Sequence, residues 1–362
     1  MNKYIFLLAS CIATLALCLP ASAEVKFIEA ESTYVIGDND SKVDARRIAI
    51  LEAKRKALES AGTYVESLSQ VKNFQLTGDD IRSYAAAVLE TEIVTEQMRG
   101  TTAKPELYIK ARCKIDSDAL ATKLAKLRDF EDMKEQFNAA AKENEQLKKE
   151  RDALLKQLAL EKDKTRADFT RQKLNTILTK EEANDETRRV WAAMGPSLLH
   201  PDEYAVQIKK SDLDASSVVL QQALKNNPQN PNARLMLASI YQRQGNSSAA
   251  EQELRTAIQR NPSNLALHMR LGILFLEQKR YPDALKEFKF VERLRPRNLT
   301  VLYYIGATFK AMDKCGRSVQ YLNRFLKDPR VKHFPQKRDS AIATIEECGG
   351  SRPGRVKRVK FQ

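Results

Sequence analysis

Histidine, cysteine, serine and carboxylate side chains are where catalysis or metal binding would begin, and in this sequence they are thinly spread. The three histidines, His200, His268 and His333, lie far apart. No cluster of Cys, Glu and His at metal-ligand spacing surrounds any of them. Ser69-Gln-Val-Lys72 has the S-x-x-K spacing by which a lysine can take a serine proton, but no K-T-G run accompanies it. There is no phosphate-cradling P-loop, no dinucleotide glycine pattern and no nucleophile elbow. The expectation is a chain that is not an enzyme and carries no cofactor or metal. Its remaining chemistry is that of thiols: Cys113, Cys315 and Cys348, besides Cys11 and Cys18 near the N-terminus.

The 362 residues suffice for two or three domains. With 43% hydrophobic and 30% charged residues the chain can bury a core, and only 12 glycines and 12 prolines favour helix over a turn-rich fold. The net charge of +14 is unevenly placed. Residues 24–120 hold 14 Lys and Arg against 17 Asp and Glu, whereas residues 196–332 hold 22 against 12. That basic half suits an acidic partner, an anionic surface or simply a solubilising exterior.

MNKYIFLLASCIATLALCLPASAEV reads as a secretory signal. Lys3 precedes an apolar run from Tyr4 to Leu19, Pro20 breaks it, and Ala21-Ser22-Ala23 supplies small residues for cleavage before Glu24. The run is short for a membrane span. An uncleaved membrane anchor is one rival reading; a lipoprotein signal at Leu8-Ala9-Ser10-Cys11 is another. The mature protein is expected to be soluble outside the cytoplasm, most simply in a bacterial periplasm.

Residues 24–118 alternate in type. Val25 to Ile36 suits a strand, and SKVDARRIAILEAKRKALESAG has apolar residues near a 3.6 period with Gly62 placed as a C-cap. Residues 64–76 look extended, Thr77 opens a short helix, and 88–98 and 107–116 suit two more strands. In the last of these, Leu107, Ile109, Ala111, Cys113 and Ile115 should face the core. The expected order is β-α-β-α-β-β. The run DARRIAILEAKRKALESAG, followed by a strand and ending at LYIKARCKI, resembles the N-terminal domain of the flagellar assembly protein T family and small domains of exported lipoproteins. That resemblance implies an envelope adapter domain.

From Glu106 to Met194 there is neither glycine nor proline. Apolar positions step by three and four, with Phe130, Phe137, Asn144, Arg151 and Leu158 at a, and Met133, Ala140, Leu147, Leu154 and Glu161 at d. A two- or three-chain coiled coil through 130–158 is the direct reading, with Asn144 fixing register. At about 1.5 Å per residue it would reach roughly 80 Å. The alternative is a charged helix folded back on its own chain.

Leu237, Ala238, Tyr241, Ala250, Leu254, Ala257 and Pro262 recur 34 residues later as Leu271, Gly272, Phe275, Ala284, Phe288, Val291 and Pro296. They recur again as Ile305, Gly306, Phe309, Ser318, Leu322 and Phe325, with Pro329 one place early. One step back, Ser216, Leu220, Ala223 and Pro228 fit a second helix, but Glu203 and Tyr204 do not fit a first. The alternation of small and bulky residues at these places resembles the tetratricopeptide repeat family over roughly 196–348, with 336–348 as a capping helix. The family pattern implies two antiparallel helices per repeat and an inner groove lined by the first helices. Here those positions include Asn232, Leu235, Ser239, Gln242, Met269, Ile273, Leu276, Tyr303 and Lys310. The groove is largely apolar with polar ends, and it lacks the Lys/Asn/Arg set by which some members clamp a terminal carboxylate. An amphipathic helix or extended apolar peptide is the expected partner; the rival reading makes these residues packing or self-association contacts. In the same frame Cys315 and Cys348 fall at matching turns of neighbouring units, so a disulfide between them is expected in an oxidising compartment.

The fold class is therefore multidomain: signal peptide 1–23, small α+β domain 24–118, long coiled-coil helix 119–175, helical linker 176–195, all-α tetratricopeptide solenoid 196–348, and basic tail 349–362. In the tail Arg352, Arg355, Lys357, Arg358 and Lys360 make either a solvated end or a contact to anionic lipid or glycan. An exported chain with no aromatic platform argues against nucleic acid. The coiled-coil-then-repeat order is similar to periplasmic proteins that coordinate envelope construction with division, although those lack the leading α+β domain. The functional expectation is an exported non-catalytic adapter, a homo-oligomer that binds protein or peptide in its groove. The alternative is a structural part of a flagellar, pilus or secretion machine.

Overall fold

The computed structural model describes residues 25–71, 89–102, 104–116, 131–199 and 207–349, with isolated positions at 78, 81–82, 85–86 and 120; for 68–71 and 131–135 it describes backbone alone. The signal stretch, Phe130, His200, Lys72 and the basic tail lie outside the described residues.

The N-terminal unit is a three-stranded antiparallel sheet with one long helix on it. Strands β1 (Val25–Val35), β2 (Thr91–Thr101) and β3 (Lys104–Asp116) lie in the order β1-β3-β2. Ile28 pairs with Cys113 and Ala30 with Ala111, while a bulge falls between Ile93 and Thr95 on β2. Leu107, Ile109, Ala111, Cys113 and Ile115 are buried against helix α1 (Lys42–Val71). The helix answers with Ala45, Ala49, Ala53, Ala57 and Ala61, one per turn and all buried. A column of methyl groups lets its backbone settle close to the sheet. Residues 64–71 are therefore helical and not extended, since Val65 continues that stripe one turn beyond Ala61. Gly62 is not a cap but lies inside α1, where a Cβ would make only an ordinary contact of 3.4 Å with the Arg82 backbone.

The long helix expected over 119–175 is replaced by a hairpin. Helix α2 (Glu131–Leu160) stops, residues 161–163 turn, and α3 (Lys164–Leu199) packs back along it. The heptad seam is real but turned inward. Phe137, Leu147, Arg151 and Leu158 are buried within the same chain, and Asn144 accepts a hydrogen bond from Asn184 Nδ2 of α3 at 2.9 Å. Asn39 donates to the carbonyls of Leu158 and Glu161, both at 3.1 Å, which ties the turn to the α+β unit. The buried residues of the seam between Phe137 and Leu158 are thus covered from within the chain, and the two helices lie side by side in place of one extended spacer. Residues 176–195 are not a separate linker, because α3 runs unbroken across them, with Trp191, Met194, Leu198 and Leu199 buried.

After α4 (Lys210–Asn226), three helix pairs begin 34 residues apart: α5 (Pro231–Arg243) with α6 (Ser247–Arg260), α7 (Leu265–Glu277) with α8 (Tyr281–Leu294), and α9 (Leu299–Ala311) with α10 (Cys315–Leu326). The early Pro329 opens a short 3₁₀ turn, Pro329–His333, before helix α11 (Pro335–Glu347). Gly349, at φ +74°, closes that helix in the left-handed conformation glycine tolerates best. Asn230, Asn264 and Asn298, also 34 apart, cap the first helix of each pair; their side chains accept from the backbone N–H of Ala233, Leu267 and Val301 at 2.9, 3.3 and 3.0 Å. The small positions work by contact. A Cβ on Gly272 would lie 2.5 Å from the Phe288 ring, and one on Gly306 would lie 2.6 Å from Leu322. Gly272→Ala is expected to lose about 1–3 kcal/mol through overpacking. Gly316→Ala should lose nothing, because no atom stands within 4 Å of the new methyl. Urea denaturation of both variants checks the contrast.

Candidate functional site

The concave face predicted as a groove is built by α5, α7 and α9, but its first part is already filled. The C-terminal end of α3 lies in it, with Leu198 and Leu199 buried in the same apolar cluster as Leu235 and Met269. Two arginines from successive repeats hold the carbonyls that end α3. Arg243 Nη2 donates to Ser197 O at 3.0 Å, and Arg270 Nη2 donates to Leu198 O at 3.1 Å. The last carbonyls of a helix have no partner within it, so cationic donors suit them. The end of α3 packs against α4, the second helix of the degenerate unit, and against α5. A crevice of about 10 Å³ remains between Leu199, Leu235, Met269 and Ile273, room for one water at most.

Helix α2 closes the neighbouring stretch. Gln136 Nε2 donates to Asn264 Oδ1 at 2.9 Å, and the Gln136 carbonyl accepts from Asn232 Nδ2 at 3.4 Å. Asn232, Leu235, Ser239 and Met269 are consequently buried and offer no free surface; the Ser239 hydroxyl donates to the Leu235 carbonyl. Ile273 and Leu276 are half-buried, and Gln242 faces Glu277 across the groove. At the far end Tyr303 Oη donates to Ser340 Oγ at 3.1 Å and Lys310 pairs with Glu347 at 3.3 Å, so α11 frames that side. Cys315 and Cys348 are joined in a disulfide with Cα atoms 5.3 Å apart, which fastens α11 to α10.

A second concavity was not foreseen. A cleft of about 420 Å³ opens between α1, α2, α3 and the start of the repeats. Its apolar lining comes from Leu51, Leu58, Phe137, Ala140 and Trp191, with the rings of Phe137 and Trp191 edge to face at 5.3 Å. Asparagines brace one wall: Asn184 Oδ1 accepts from Asn227 Nδ2 at 2.9 Å and from Asn230 Nδ2 at 2.8 Å. Charged pairs brace the other. Arg151, only 2% exposed, reaches Glu181 at 3.1 Å, Asp152 at 3.0 Å and Glu52 at 3.4 Å. Burial is the largest influence on Glu181 and holds its carboxyl above the usual range, with Arg151 drawing it only partly back. Burial also pushes Asp185 up, but Arg188 and Lys54 outweigh it and leave the carboxyl below the usual range. The cleft draws on four segments that are far apart in sequence, which is why no motif announced it; the lone tryptophan in an otherwise largely polar helix was the available signal.

The other reactive side chains are structural. Burial pushes the Cys113 thiol up to about 11, so it is not a thiolate at neutral pH. His268 stacks on Phe290 at 4.0 Å with its ring nitrogens on Glu287 Oε2 and the Pro262 carbonyl, at 2.7 and 2.9 Å. Among the described residues no group of three His, Cys, Asp or Glu could hold a metal, and no helix is long and apolar enough to cross a membrane.

Two tetratricopeptide repeat family models match the chain, one over residues 235–298 and one over 207–258. No curated protein matches it. Among solved structures, it is similar to PilF of Pseudomonas aeruginosa at 20% identity and a TM-score of 0.35, covering 48% of this chain and 79% of that one. It is also similar to YrrB, described as a tetratricopeptide protein with an unusual peptide-binding site, at 14% identity and a TM-score of 0.34, covering 47% of this chain and 81% of that one. A third is a tetratricopeptide protein of Thermus thermophilus, at 21% identity and a TM-score of 0.31, covering 38% of this chain and 82% of that one. With helix pairs at a 34-residue step and two family models that overlap at 235–258, residues 207–298 of this protein carry tetratricopeptide repeats, a scaffold that serves protein–protein interaction and is generally not catalytic.

Proposed function

We propose that this protein is an exported, non-catalytic adapter whose repeats take a protein or peptide partner on the unfilled part of their concave face. The signal pattern of residues 1–23 and the Cys315–Cys348 disulfide support an oxidising compartment outside the cytoplasm, most simply a periplasm. The observation that carries the reading is the way the repeats hold the chain's own α3. Leu198 and Leu199 enter the apolar floor while Arg243 and Arg270 hold the helix-end carbonyls. The same face continues past α3 through the half-buried Ile273 and Leu276 toward Lys310, and an apolar helix face is the chemistry that fits it. Of the nine residues expected to line the groove, these with Gln242 and Tyr303 remain as contact residues. Ile273→Asp with Leu276→Asp is expected to abolish capture of the partner from envelope extract by the mature chain, the partner band being followed by mass spectrometry. Undiminished capture of the same band, with far-ultraviolet circular dichroism unchanged, would sink the proposal.

A further inference from the structure

One edge of the repeats carries charge that the scaffold does not ask for. The turn between α6 and α7 and the turn between α8 and α9 are the same backbone structure one repeat apart. Asn261 and Arg295 end the second helices at φ/ψ of −132°/69° and −137°/76°. Their N–H groups donate to Ala257 O at 2.9 Å and Val291 O at 2.8 Å, and their carbonyls accept from Asn264 N at 3.1 Å and Asn298 N at 3.0 Å. Gln259, Asn261 and Ser263 suffice for the first of these turns. Arg293, Arg295 and Arg297 stand at the same places in the second, all three exposed. The next connection lies against it, since Arg330 Nη2 donates to Arg297 O at 3.0 Å and Arg324 Nη2 to Pro296 O at 3.5 Å. It adds the exposed Lys327 and Lys332. Residues 292–298 and 324–333 together hold seven Lys and Arg against two acids, Glu292 and Asp328. Both acids are already paired, Glu292 with Lys289 and Arg324 at 2.7 and 2.8 Å, and Asp328 with Arg330 at 2.9 Å. In the preceding turn, residues 258–264 hold Arg260 as their one charge.

We infer that this edge docks the protein on an anionic lipid surface, a contact separate from the repeat groove. An excess of positive charge spread over two adjacent turns fits an array of anionic headgroups, each cation near such a surface strengthening binding about fivefold. Leu294 selects a bilayer over a soluble polyanion. It is 48% exposed between Arg293 and Arg295, and it stands where the preceding turn has Arg260. Charge alone would keep the arginine at that place. A leucine gains there only where headgroups give way to acyl chains, while the arginines beside it reach back to the phosphates.

The test is co-sedimentation of the mature full-length chain with vesicles of phosphatidylglycerol and phosphatidylcholine, pure phosphatidylcholine being the control. The wild type should sediment with the anionic vesicles only and be released by salt. Arg293→Gln, Arg295→Asn and Arg297→Ser together give this turn the residues of the preceding one, a set its backbone already accepts. This triple variant should bind the anionic vesicles about a hundredfold more weakly, with far-ultraviolet circular dichroism unchanged. The same loss is expected when Arg352, Arg355, Lys357, Arg358 and Lys360 of the tail are all glutamine, which separates the edge from the tail. Leu294→Asn should weaken vesicle binding about fivefold and leave binding of polyglutamate, a soluble polyanion, unchanged. The inference is overturned if the wild type ignores the anionic vesicles, or if the triple variant binds them like its parent in either tail form. Leu294→Asn binding vesicles like the wild type overturns the bilayer assignment. So does polyglutamate bound through these arginines in place of vesicles, which would make the partner an acidic protein.

Discussion

Arg151→Met is expected to cost the fold about 3–5 kcal/mol, the range for breaking a buried ion pair from one side. Among the described residues Arg151 is the largest fully buried side chain, and its guanidinium joins α2 to α3 through Glu181 and to α1 through Glu52. Without it Glu181 remains buried with a negative charge and no counter-ion. The double variant Arg151→Met with Glu181→Leu should recover most of the loss, because an apolar pair of similar volume replaces a desolvated one. The pH dependence gives the sign. Glu181 is already held above the ordinary carboxylate value by burial, and losing Arg151 moves it further up. A carboxyl whose folded-state pKa is raised contributes most below its unfolded value, about 4.3, and loses that contribution as pH rises through the folded one. The deficit of the single variant should therefore be largest at neutral pH and shrink on acidification. Asp185 runs the other way, its contribution being lost as pH falls, but it is common to both proteins and cancels in the difference. Urea midpoints from pH 7 down to pH 4 measure this; a deficit below 1 kcal/mol, or one that grows toward acid, would contradict the account.

Replacing Cys315 and Cys348 by serine is expected to cost about 3–4 kcal/mol, the chain-entropy value for a loop of 33 residues. The loss should be local before it is global. Helix α11 is held to the repeats by Phe334, Ala341 and Ile345 in the core and by the Tyr303–Ser340 and Lys310–Glu347 contacts. Unstapled, this terminal helix should exchange its amide hydrogens well before α7 or α8 does. Equal protection of α11 in oxidised and serine forms would show that packing alone holds it.

The Arg151 effect sits where three separate lengths of chain meet, and that is also where the sequence is hardest to read. The repeats were legible because their information is local and periodic: Ala250, Gly272, Phe288 and Leu322 recur at a fixed step, and each meets a neighbour only one or two helices away. The alternation from Leu107 to Ile115 was legible for the same reason, since period two assigns one face of a strand whatever lies against it. The seam of α2 was legible as a seam. Its partner was not, because steps of three and four describe an apolar stripe equally well whether another chain or the next helix covers it. The groove residues were legible as positions but not as a surface, because burial by α3 and α2 depends on the path of a chain that begins 40 to 100 residues upstream.

By itself the sequence determined which faces of most elements are apolar and where the 34-residue units begin. Only the tertiary structure decided that α2 and α3 pack on each other as a hairpin, that the end of α3 fills the first part of the groove, and that Trp191 and Asn232 line one cleft. The physical reason is that hydrophobic burial is not directional. Periodicity states how much surface must be covered and on which side, and the three-dimensional course of the chain alone settles what covers it.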